Sequence, residues 1–236
     1  MKKLAFFALS AFAAAAMAAG PVSPSSITIS GTSNQTAAMA LSMVTNKSNA
    51  ENTAMQKMAS NAGNVQIKGT SNQTALTLKA NVSNESVNKD DFANQNISSN
   101  AGKVEVSSSG KSDQFTALVG THVSNKAKGG DATALQNLAS NNGNGITISG
   151  TSSQTVGGIG GSITNLADGS YAVATQNLSS NFGKVTVAGT SNQATYLLGG
   201  HVANLASGKY SHAIQNIASN DACNEPQDPC PPGGCR

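Results

Sequence analysis

Residues 174–189 read Ala-Thr-Gln-Asn-Leu-Ser-Ser-Asn-Phe-Gly-Lys-Val-Thr-Val-Ala-Gly. Three features of this stretch recur along the chain. The first is a Gln with Ala two residues before it, Met, Ile or Leu two after it and Ser four after it, as at Gln176. The second is Asn-x-Gly, here Asn181-Phe182-Gly183, which ends the first four copies. The third is a pair of β-branched residues one position apart, found at Ile27/Ile29, Val65/Ile67, Val104/Val106, Ile146/Ile148 and Val185/Val187, with starts 38, 39, 42 and 39 residues apart. Five internal copies at near-constant spacing mark a repeat architecture, which disorder does not require.

Other positions repeat as well. Gly-Thr-Ser follows the β-branched pair at Gly31, Gly69, Gly150 and Gly189, whereas the third copy reads Ser107-Ser108-Ser109-Gly110-Lys111-Ser112 and is two residues longer. A Gln closes this predicted turn in every copy: Gln35, Gln73, Gln114, Gln154 and Gln193. Eleven residues later comes an Asn: Asn46, Asn84, Asn125, Asn165 and Asn204. The second Gln follows at Gln56, Gln95, Gln136, Gln176 and Gln215.

Residues at odd offsets from the first Gln, which read Thr74, Leu76, Leu78, Ala80 and Val82 in copy two, are less polar than those at even offsets and predict a long strand with the odd-offset face buried. Copy one is out of phase, because Met39, Leu41 and Met43 fall on the opposite face. Ala134, Gln136, Leu138 and Ser140 are predicted to share an inward face. A buried amide is costly unless it is hydrogen-bonded. A parallel, in-register stack satisfies it by bonding each Gln to the identical Gln one rung away. The fold expected is therefore all-β: a parallel β-solenoid of five stacked repeats of about 39 residues, covering 27–64, 65–103, 104–145, 146–184 and 185–220, with Gly and Asn at the corners.

The flanks read differently. Lys2 and Lys3 precede an apolar run from Leu4 to Met17, and Ala16-Met17-Ala18 has the pattern of a signal-peptidase site, so residues 1–18 are expected to be a cleaved secretory signal peptide. A short segment, 19–26, leads into the repeats, and a tail of residues 221–236 is rich in Cys, Pro and Gly. Removing Lys2 and Lys3 leaves 12 basic against 11 acidic residues, so the precursor's net charge of +3 falls to about +1. With no basic stripe, no Trp and few aromatics, nucleic acid is not an expected partner. The expected location is extracellular or at the cell surface, with the periplasm in transit.

Candidate chemical sites are sparse. Cys223, Cys230 and Cys235 are the only cysteines, and secretion permits one disulfide or a cross-link between subunits. Their spacing, with no His nearby, argues against zinc. His122 and His201 share a repeat position but sit two rungs apart, roughly 9.6 Å at β-sheet spacing, too far to share an ion. Asp90-Asp91 reads as a solvating pair in a turn. Gly129-Gly130-Asp131 lacks the calcium β-roll pattern, and Gly157-Gly158-Ile159-Gly160-Gly161 carries no Lys for a phosphate loop. No His–acid pair marks a nucleophile. No catalytic residue, cofactor or metal is expected.

The stretch 174–189, together with the Gly-x-x-Asn-Gln corners such as Gly189-Thr-Ser-Asn-Gln193, resembles the repeats of Fap-type functional amyloids of biofilm bacteria, with curli-like repeat fibres as the wider class. The resemblance covers about residues 26–220. It differs from that family in having no long linkers between repeats and in spacing its three tail cysteines apart. It implies a secreted fibre subunit of a biofilm matrix that polymerises with itself and passes through outer-membrane export machinery, with a nucleator or surface receptor as further partners. A monomeric β-solenoid adhesin or minor nucleating subunit is the alternative, and a polysaccharide-active β-helix enzyme is a third reading. An ice-binding face is set aside, because Gln66 and Glu105 interrupt the series Thr28, Thr147, Thr186.

Overall fold

A computed structural model describes residues 26–49, 51–106, 110–142 and 145–220. The predicted signal peptide, most of the segment before Ile27 and the three tail cysteines lie outside the described residues. Among the described residues, the regular elements are strands, and all of their pairings are parallel.

The third rung shows the plan. A short strand, Val104–Val106, leads to a long strand, Lys111–Val119. Strands His122–Lys126 and Ala134–Leu138 follow, and a two-residue strand, Asn141–Asn142, closes the turn. Each strand pairs with its counterparts in the rungs before and after, giving four five-stranded sheets and a narrow three-stranded corner sheet. The chain is thus a parallel β-solenoid of five turns. The register does not slip: the first-Gln column runs Gln35, Gln73, Gln114, Gln154, Gln193. Those glutamines are 38, 41, 40 and 39 residues apart, so the repeat length is only near-constant.

Three apolar clusters fill the stack. One joins the long-strand sheet to the next two through Ala75, Val82, Leu118, Val123, Ile97 and Leu138. A second consists of alanines, including Ala93, Ala134 and Ala174. The third is built from the β-branched pairs of the short strands, such as Val65, Ile67, Ile146 and Ile148. Burying each large aliphatic side chain contributes about 1.5–3 kcal/mol, so the β-branched pairs are a principal source of rung cohesion.

Three expectations are corrected. On the long strand, Ser71, Gln73, Ala75 and Thr77 face inward, while Leu76 and Leu78 are 41% and 44% exposed. The reason is a corner at Lys79 (φ 47°), which resets the alternation so that Ala80 and Val82 point inward again. The odd-offset face is therefore buried only beyond the corner. Copy one is not out of phase, because Met39 pairs with Thr77 and packs against the core. The predicted Gly-Thr-Ser turn is a corner at the glycine alone, and the long strand Thr70–Leu78 begins at the threonine. Gly69 has φ 139°, and a Cβ there would lie 2.2 Å from the Gly31 carbonyl oxygen, so the close passage of successive rungs excludes a side chain.

Candidate functional site

The repeated amides form continuous hydrogen-bonded columns through the interior. Gln136 is fully buried; its Nε2 donates to Gln95 Oε1 at 2.8 Å and its Oε1 accepts from Gln176 Nε2 at 2.6 Å. The column continues to Gln56 at 2.7 Å and from Gln215 at 2.6 Å. In the first-Gln column, Gln193 donates to Gln154 at 2.9 Å, Gln154 to Gln114 at 2.9 Å and Gln114 to Gln73 at 2.8 Å. This column breaks at the first rung, where Gln35 Nε2 donates to Asn61 Oδ1 and Gln35 Oε1 is buried without a partner.

The Asn column runs in the opposite sense. Asn46 donates to Asn84 at 2.7 Å, Asn84 to Asn125 at 2.8 Å, Asn125 to Asn165 at 2.8 Å and Asn165 to Asn204 at 2.9 Å. Asn125 and Asn165 also tie together the Ala-x-Gln strands of their own rung and of the rung before. Asn125 Nδ2 lies 3.1 Å from Ala93 O and 3.0 Å from Leu135 O. These side chains thus satisfy buried backbone acceptors as well as one another, which is the condition for a polar core to be stable.

Three further columns were not anticipated. The corner asparagines form one: Asn61 donates to Asn100 at 3.0 Å, Asn100 to Asn141 at 2.9 Å, Asn141 to Asn181 at 2.9 Å and Asn181 to Asn220 at 2.7 Å. A second runs from Asn216, which donates to Asn177 at 2.9 Å, through Asn177, which donates to Asn137, to Asn137, which donates to Asn96, both at 2.8 Å. The serines opening the long strands form the third, and Gln73 and Gln114 each donate to the serine two residues earlier at 2.6 Å. The signal for the first two was the same invariance that marked the glutamines, since an Asn recurs at those positions in nearly every copy.

Charged groups are few and mostly exposed. Lys47 and Lys126 flank Glu85 at 3.6 and 3.0 Å in one column. The hydrogen bond from Lys126 holds the Glu85 carboxyl below its ordinary range, and the two ammonium charges add to this against partial burial. Asp91 departs from its reading as a solvating charge. It is 2% exposed, and its carboxylate accepts N–H bonds from Asn88, from Lys128 at 2.8 Å and from Gly130 at 2.7 Å. The turn folds this side chain back so that it joins rungs two and three. A Cβ on Gly130 would lie 1.5 Å from the Lys89 carbonyl oxygen.

His122 is not brought to His201. Its Nδ1 lies 2.8 Å from Ser162 Oγ, and that serine occupies the rung between the two histidines. Among the described residues, no group of three or more His, Cys, Asp and Glu side chains is placed to hold a metal ion, and no helix is long and apolar enough to cross a membrane. The outer surface of the long-strand sheet carries a broad apolar groove lined by Ala117, Val119, Gly157, Ile159, Tyr196 and Leu198.

The end rungs carry the same columns in a different environment. Gln73, Gln114 and Gln154 are at most 1% exposed, whereas Gln35 and Gln193 are half-buried. Val82, Val123 and Ile163 are buried, while Val44 and Val202, in the same column, are only partly covered. No family model, curated protein or solved structure matches the chain.

Proposed function

We propose that this chain is a secreted structural subunit that assembles with itself, rung on rung, into extracellular amyloid-like fibres of a biofilm matrix or adhesive surface. The observation that carries this reading is the equivalence of end and interior rungs: the residues that stack inside the molecule recur at both ends of the described stack, where Gln35, Val44, Gln193 and Val202 are only partly covered. A parallel sheet edge presents unpaired backbone groups that template another strand. The likeness of the repeats to Fap-type and curli-like subunits supports the same reading, as does the leader pattern in residues 1–18. Export through an outer-membrane pore belongs to it, and no enzymatic role is assigned.

To test it, the chain lacking residues 1–18 is incubated and examined by fibre diffraction. The expected result is fibres with a reflection at about 4.7–4.8 Å along the fibre axis. Persistent monomer at high concentration, unresponsive to seeds, would favour the second reading, a monomeric β-solenoid adhesin or a minor nucleating subunit. One observation speaks for that reading: the apolar groove on the long-strand sheet is open to a partner in the monomer.

A further inference from the structure

The two open faces of the stack differ in shape, in charge and in the sense of their amides. On the C-terminal rung, Tyr196 and Leu198 are 69% and 70% exposed, and Leu197 lies between them. The same columns end on the N-terminal rung in Ala38, Met39 and Ala40. Where the N-terminal rung protrudes, at Leu41 and Met43 (78% and 77% exposed), those columns end at the C-terminal rung in Gly199 and His201. Large side chains on one face thus meet small ones on the other at three of these columns. The molecule already uses this device internally: Leu197 seats over Gly158, where a Cβ would come within 2.7 Å of its Cδ2.

Charge follows the same logic. Five residues after each ladder Asn stand Glu51, Lys89, Gly130, Ser170 and Lys209. Glu51 and Lys89, in adjacent rungs, form an ion pair at 2.8 Å, and the Glu51 side chain is 79% exposed. Lys209, at the far end of this series, is exposed and lies over the stacked Tyr171 and Tyr210 rings, 5.3 and 4.9 Å from their centroids. Amide sense is consistent with both. The Gln columns donate toward the N-terminal rung and the Asn46 and Asn61 columns toward the C-terminal rung. A following molecule in the same orientation continues the Gln56, Asn46 and Asn61 columns with donor facing acceptor, whereas the first-Gln column stays broken at Gln35 and the Asn216 column meets Lys57.

Resting on the self-assembly reading, we propose that the two faces are partners for each other and not for themselves: the C-terminal rung of one molecule seats on the N-terminal rung of the next, all strands parallel, with Lys209 of the first meeting Glu51 of the second. A two-fold contact between like faces would reverse the strands, end every column and set protrusion against protrusion. The head-to-tail contact does not close on itself, so it generates a filament.

Cross-linking reads the orientation directly. Thr36 and Ala194 end one outward column and are not used in the fit described above. Two single-cysteine chains, Thr36→Cys and Ala194→Cys, each with the three native cysteines changed to Ser, are mixed, assembled and oxidised. At a rung spacing of about 4.8 Å, head-to-tail stacking brings Cys Cα atoms within disulfide range only between the two different chains. The expected product is the mixed dimer, with neither variant cross-linking alone. Fibres that yield dimers of a single variant would overturn the orientation while leaving self-assembly intact. A failure to form fibres would remove the self-assembly reading itself. In a second arm, Lys209→Glu is expected to slow seeded growth at low salt, and Glu51→Lys added to it is expected to restore growth. Unchanged growth of Lys209→Glu would remove that ion pair from the contact.

Discussion

The three inner rungs and the two end rungs are built from the same residues at the same register, yet they are in different physical states. Gln136, Asn125 and Leu138 are at most 1% exposed and bonded or packed on both sides. Their counterparts in the fifth rung, Gln215, Asn204 and Ile217, have a rung on one side only among the described residues, and Ile217 is 42% exposed. The difference teaches that position in the stack, not residue type, decides what a repeat residue contributes. An inner residue stabilises the monomer. An end residue holds part of its bonding and burial in reserve for a neighbour.

The largest way to sharpen this contrast is a charge in the Gln column. Gln136→Lys places an ammonium in a fully buried column and leaves Gln95 and Gln176 without their partner, so a loss of about 3–5 kcal/mol is expected, enough to abolish cooperative thermal unfolding of a marginal fold. Gln193→Lys, half-buried at the end, is expected to leave the monomer's melting largely intact and to stop fibre elongation. Equal melting losses for the two would break the distinction between inner and end rungs.

Truncation comes next. Leu138→Ala should cost about 2–5 kcal/mol in denaturant unfolding, whereas Leu198→Ala, 70% exposed, should change the monomer by under about 0.5 kcal/mol and instead slow seeded growth. A smaller effect follows from Asn125→Ala, which removes the donor to Asn165 and to two backbone carbonyls. About 1–3 kcal/mol is expected.

Much of this architecture was legible in the sequence, and the parts that were not have physical reasons. The β-branched pairs fixed the rung positions because β-branched side chains fit a pleated, buried surface and recurred at near-constant spacing. The face of the long strand was misread because apolar content was taken to mean burial. Leu76 and Leu78 are more apolar than Ala75 and Thr77 yet point outward. A correct signal was present in parity: if Gln73 faces inward, Ala75 and Thr77 must as well, and Leu76 cannot. The phase change at Lys79 also had a signal that went unread: the matching positions in copies three to five are Gly120, Gly160 and Gly199, all at positive φ. The corner asparagines were read for backbone tolerance alone, although an Asn at a corner can also bond the next Asn when rungs lie in register. Asp91 was unreadable from one copy, since Ala132 and Ala172 stand at the matching positions and only the fold shows three N–H groups converging on its carboxylate.

The smallest predicted effect concerns acid. Glu85 is held below its ordinary range by Lys126 and Lys47, so its contribution is present above the unfolded-state pKa and is lost as pH falls through the lower folded-state value. Monomer stability should therefore decline below about pH 4, by under about 1 kcal/mol for this partly exposed group. Glu85→Gln should flatten that part of the profile in chemical denaturation across pH. An unaltered slope would remove Glu85 from the account.

Backbone hydrogen exchange, compared rung by rung between monomer and assembled fibre, tests the central claim most directly. In the monomer, amides of the second, third and fourth rungs should exchange slowly and those of the first and fifth, which among the described residues each have a neighbour on one side only, substantially faster. On assembly the first and fifth rungs should become as protected as the third. Fibres in which the end rungs still exchange as they do in the monomer would contradict assembly through the open ends of the stack.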